Sequence, residues 1–144
     1  MDVSELRKRI LHALDAARRD ASARREVRGE AEKRWETFLS SVAVPVFRQA
    51  MDVLKAERQL FSVHTPAGSV RLASDSSPET FLELVLDLSG AEPQMLGRVS
   101  RSLGKGRQHV EEQPVAPGKP MSEIDENDLA AYLVAAVPKL VVRT

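Results

Sequence analysis

The stretch SSPETFLELVLDLSG, residues 76–90, decides the fold. Its opening, Ser77-Pro78-Glu79, has the form of a helix N-terminus: a hydroxyl cap, a proline in the first turn and an acid behind it. The body has another period. Leu82, Leu84, Leu86 and Leu88 fall on alternate positions, with Glu83 and Asp87 between them. A strand sends alternate side chains to opposite faces, whereas a helix would scatter these leucines around its axis. We read residues 78–88 as a strand with one leucine face and one acidic face, against the alternative of a helix begun at Pro78.

The flanking segments fit a strand. LFSVHTPAGSVRLAS, residues 60–74, alternates on both sides of Pro66-Ala67-Gly68 and reads as a β-hairpin. Phe61, Val63 and Thr65 share a face with Val70 and Leu72, while Ser62 and His64 take the other. Downstream, Gly90-Ala91-Glu92-Pro93 turns the chain into QMLGRVSRSL, residues 94–103. Gly104-Lys105-Gly106 turns it again into RQHVEEQPV, residues 107–115, two glycines suiting a turn with positive φ. Hairpins in succession give an antiparallel meander of about five strands, one face packed and the other wet.

Helices flank the meander. From Val3 the apolar positions Leu6, Ile10, Leu14 and Ala17 recur at steps of three and four, predicting one helix over residues 2–38 capped by Ser4. Its middle, RRDASARREVRGEAEKR, residues 18–34, keeps only Ala21, Val27 and Ala31 on the stripe before Trp35 and Phe38. A helix so polar either projects into solvent or packs through a narrow, coiled-coil-like seam. Ser40-Ser41 is expected to break it, and a second helix starts near Ala43 with Pro45 in its first turn. After the stiff loop APGKP, residues 116–120, the acids of residues 122–128 open a last helix, with Leu129, Tyr132, Leu133, Ala136 and Val137 as its core face. The fold class is therefore α+β, divided into a helical arm, residues 1–39, and an α+β domain, residues 40–144.

Charge is balanced overall, with 21 bases and 21 acids, but not along the chain. Residues 75–97 carry five acids and no base, residues 98–110 four bases and no acid, and residues 111–128 six acids and one lysine. Acid–base–acid blocks on successive strands imply cross-strand pairing. The alternative is a basic patch of Arg98, Arg101, Lys105 and Arg107 for an anionic partner.

No local motif supports catalysis. A phosphate loop needs four residues between its first glycine and Gly-Lys, then Ser or Thr; here six separate Gly97 from Gly104, and Gly106 follows Lys105. There is no Gly-x-Ser-x-Gly and no cysteine. His12, His64 and His109 lack any paired spacing, and the acidic run fails the calcium-loop pattern. Glu83 and Asp87 would stand about 14 Å apart along a strand, too far for a glycosidase pair. We expect no enzyme, no cofactor and no metal site. The longest apolar run, residues 129–138, is too short to span a bilayer, and the N-terminus has neither signal-peptide nor anchor character. A cytoplasmic location follows as the default.

The function expected is that of a small interaction or assembly protein. Its oligomer seam is Val3, Leu6, Ile10, Leu14 and Ala17, and its first partner a second copy in a homodimer. The alternative is a nucleic-acid-binding module using the basic hairpin, residues 98–107, and the Arg-rich helix. That alternative lacks an aromatic side chain on the hairpin to stack a base.

Overall fold

A computed structural model describes residues 2–142. The element order is α1 (Val3–Phe38), a π-helical turn (Leu39–Ala43), α2 (Val44–Ala56), β1 (Phe61–His64), β2 (Ser69–Ser74), β3 (Phe81–Asp87), β4 (Gln94–Gly104), β5 (Arg107–Pro114), a short 3-10 turn (Met121–Glu123), α3 (Glu126–Ala136) and α4 (Pro138–Val141). The five strands lie in sequence order in one sheet, every neighbouring pair antiparallel. The α+β meander expected from the alternation is the fold, and residues 81–87 form its central strand.

The helical region departs from expectation at Ser40-Ser41, which does not break the helix. α1 runs into α2 through the π turn without interruption. The hydroxyls expected to compete with the backbone bond back into the helix instead: Thr37 Oγ1 donates to Lys33 O, Ser40 Oγ to Glu36 O and Ser41 Oγ to Thr37 O. Pro45, now inside a continuous helix, has no N–H for Ser41 O and would crowd that carbonyl. The π turn answers this, since Val44 N–H reaches back five residues to Leu39 O and widens the coil where the proline enters. The N-cap is also displaced. Asp2, not Ser4, accepts from Glu5 N–H at 2.7 Å.

One face of the sheet carries the core. Val70, Leu72, Leu82, Leu84, Met95 and Val99 are buried there against Phe47 and Leu54 of α2 and Leu129, Tyr132, Leu133 and Ala136 of α3. Each large apolar side chain buried this way contributes roughly 1.5–3 kcal/mol. α3 is placed by a capping box: Asp125 and Asp128 each accept the other's backbone N–H, and Lys119 Nζ adds a bond to Asp128 at 2.7 Å. That ammonium holds the Asp128 carboxyl below its ordinary value, with the Asp125 N–H as the second cause. At Gly97 the Tyr132 ring of α3 lies directly on the sheet. A Cβ there would fall 2.5 Å from Tyr132 Cε1 and closer still to Cζ and Oη, so only glycine admits the ring.

Trp35 joins α1 to this body. It is buried in the core cluster, and its indole N–H donates to Gly68 O at 2.8 Å. Arg28 donates to Leu88 O at 3.3 Å, about two turns further out. Beyond that point the helix leaves the body: every residue from Val3 to Asp20 is exposed.

Candidate functional surfaces

The free part of α1 is the first surface. Residues 3–27 amount to a rod about 38 Å long at ~1.5 Å per residue. With about 100° per residue, Val3, Leu6, Ile10, Leu14, Ala17 and Ala21 all lie within about 60° of the direction of Trp35. Ala31 and Trp35 bury that face against the body, and the apolar side chains further out continue it into solvent. Val3 is 84% exposed and Leu6, Ile10 and Leu14 between 43% and 49%. Arg24 and Arg28 interrupt the stripe between the packed and the free halves. The flanks are charged, with Arg9 within 3.3 Å of Glu5 and Arg18 within 3.7 Å of Asp15.

The second surface is the sheet face turned away from the helices. Strand register aligns one residue from each strand into a single row: His64, Arg71, Glu83, Arg98 and Glu112. Arg71 Nε donates to Glu83 at 2.9 Å, Arg98 Nη1 approaches the other Glu83 oxygen at 3.5 Å, and Arg98 Nε donates to Glu112 at 2.7 Å. Glu83 is only 5% exposed, shielded by the two guanidinium groups. Arg71 also stacks over the Phe81 ring at 4.0 Å. The middle of this face is therefore closed by its own charges, where alternation alone implied open water. The Arg98 guanidinium is raised further, chiefly by its bond to Glu112.

The four bases of the hairpin thus separate. Arg98 is held between two carboxylates. Arg101 lies opposite His109 on the helix side of the sheet, half-buried and without an ion-pair partner among the described residues. Lys105 sits at the tip, and Arg107 pairs across the turn with Gly104. The tip is a two-residue turn with φ 53° at Lys105 and 74° at Gly106, the mirror-image form that suits a twisted hairpin. A register shift between Ser102 and Gly104 comes after Arg101, so it leaves Arg98 and Arg101 on opposite faces.

Of the three histidines, His12 lies on the exposed arm, His64 ends the charged row, and His109 Nε2 is 3.2 Å from Glu111. Glu111 also accepts from Lys139 at 3.2 Å, and its carboxyl is lowered first by His109 and then by Lys139. Among the described residues, no three His, Asp or Glu side chains gather in a metal-holding group. No described helix is long and apolar enough to cross a membrane.

Sequence reasoning named the apolar stripe of α1 and the hairpin bases, but missed two features. It missed Arg71, whose part in the row depends on strand register, and the hydroxyls of residues 74–80, which lie beside Arg101 only once β2, β3 and β4 are paired. The block of three serines and a threonine in SDSSPET is the signal that could have drawn notice. No protein-family model, curated protein or solved structure matches the chain.

Proposed function

We propose that this protein is a non-enzymatic interaction or assembly module of the cytoplasm. The free part of α1 is its docking arm, and a second copy of the chain is its first partner. The observation that carries this reading is one helix direction, packed on the body at Ala31 and Trp35 and, past the interrupting Arg24 and Arg28, carrying exposed apolar side chains from Ala17 outward. Covering Val3, Leu6, Ile10 and Leu14 from their present exposure is worth about 4 kcal/mol per chain. Part of that is offset by the cost of association, so the seam supports a concentration-dependent dimer rather than an obligate one. A partner helix would also supply the tertiary packing that an isolated, highly charged helix lacks.

Light scattering across a concentration series tests the reading, comparing the full chain with Leu6→Glu/Ile10→Glu. The double substitution leaves Trp35 and the core untouched, which removal of the whole helix would not. A wild type of twice the chain mass at high concentration and a monomeric variant are expected. Wild type that stays monomeric, or a variant that dimerises equally well, would overturn the proposal.

A further inference from the structure

The helix-side end of the sheet holds a cleft of about 680 Å³, walled by the β2–β3 connection, the end of β4 and α4. Its size lies within the range of small-molecule sites. Two cations border it, Arg101 and Lys139, with the hydroxyl-bearing residues Ser76, Ser77, Thr80 and Ser102. Among the described residues no carboxylate lines it, although the chain has as many acids as bases. The acids nearest in sequence already accept hydroxyl protons: Asp75 accepts from Ser62 Oγ at 2.5 Å, and Glu79 from Ser77 Oγ at 3.3 Å, which spends that hydroxyl of the cleft border. Arg71 and Arg98 are neutralised by Glu83 and Glu112, whereas Arg101 has no such partner among the described residues. Lys139 spends one bond on Glu111 and keeps two further N–H donors. Ser102 Oγ accepts from Gly104 N–H at 3.3 Å, which leaves its own proton free to donate.

A half-buried guanidinium, an ammonium and the free hydroxyl proton of Ser102, with no carboxylate among the described lining residues, are the groups an anion site needs. Arginine's planar fork matches two oxygens of one phosphate, which an ammonium alone does not. We propose that this cleft binds a small phosphate-bearing molecule, with Arg101 as the anchor of the phosphate and Lys139 as the second cation. The apolar side chains of Phe61 and Leu140 in the same wall face the remainder of the ligand. No residue of α1 lines the cleft, so the site stands or falls independently of the arm.

The test is calorimetric titration of the full chain with inorganic phosphate and with phenyl phosphate, benzoate serving as the carboxylate counterpart. Variants are Arg101→Gln, Lys139→Gln and, as a charge-matched control at the turn tip, Lys105→Gln. Saturable binding of one phosphate or phenyl phosphate per chain is expected. Arg101→Gln weakens it at least about tenfold, the low end for losing a charge-assisted hydrogen bond. Lys139→Gln weakens it less, and Lys105→Gln leaves it unchanged. Absence of saturable binding in the wild type would overturn the proposal. So would equal losses in Arg101→Gln and Lys105→Gln, which mark a diffuse charge effect, or benzoate binding as tightly as phenyl phosphate.

Discussion

The phenol of Tyr132 should titrate about two pH units late. Its residue is 5% exposed, its ring lies on Gly97, and its hydroxyl has no hydrogen-bond partner among the described residues. Burial pushes the phenol up from 10.0 to about 12, and the nearby Glu111 charge adds to the effect. The group is neutral in both folded and unfolded chains below about pH 10. Between 10 and 12 the unfolded chain gives up its proton and the folded one resists, so stability falls as pH rises through this window. At ~1.36 kcal/mol per pH unit the loss is about 2 kcal/mol at pH 12, where the folded phenol is itself half ionised. The chain has a single tyrosine, so phenolate absorbance reports Tyr132 alone. A rapid pH jump on the native protein should give a midpoint near 12, and the same titration in urea a midpoint near 10. Tyr132→Phe should remove this part of the alkaline loss. At neutral pH it should stabilise the fold by about 1 kcal/mol, because the orphan hydroxyl no longer has to be desolvated. A native midpoint near 10 would refute the burial argument. A Phe variant destabilised by ~1 kcal/mol would show that the hydroxyl has a partner.

Substitutions at two further positions probe the sheet. Glu83→Ala leaves Arg71 and Arg98 facing each other without their shared carboxylate. Because those side chains are 35% and 42% exposed they can rehydrate, so the cost should be about 2–3 kcal/mol, below that of a fully buried pair, with Glu83→Gln milder. Urea unfolding measures both, and an Ala variant within ~0.5 kcal/mol of wild type would contradict the row's role. Gly97→Ala drives a methyl into the Tyr132 ring and should cost about 3 kcal/mol, the upper end for overpacking. Pairing it with Tyr132→Leu should give a smaller loss than the two single losses added, whereas strict additivity in the same unfolding assay would mean that the two sites do not touch.

The sequence made legible what depends on period and on local turn chemistry. Leucines on alternate residues defined β3, the Gly-Lys-Gly turn closed the last hairpin, and the apolar spacing of residues 129–137 gave the packed face of α3. What it hid depends on neighbours remote in the chain. Ser40 and Ser41 look like helix breakers because their hydroxyls compete for the backbone, and nothing local tells that they bond back to Glu36 and Thr37 instead. Gly97 sits inside a strand pattern with no turn beside it, and its reason is a ring from a helix more than thirty residues later. Glu83 reads as a solvated acid because its two arginines lie on other strands.

The same logic explains how a chain of zero net charge can hold a cationic cleft. The acid, base and acid blocks along β3, β4 and β5 are brought side by side by antiparallel pairing, but pairing cancels charge only within one face. Glu83, Arg98 and Glu112 share a face and neutralise one another. Arg101 is three residues beyond Arg98, an odd step, so it emerges on the opposite face, where its cross-strand neighbour is His109 rather than a carboxylate. Shifting that arginine by one position would place it on the face of the charged row and leave the cleft with Lys139 alone. The parity of a single spacing therefore separates the charge that fixes the sheet's register from the charge left for a ligand. For that reason the anion proposal rests on Arg101 and not on the basic hairpin as a whole.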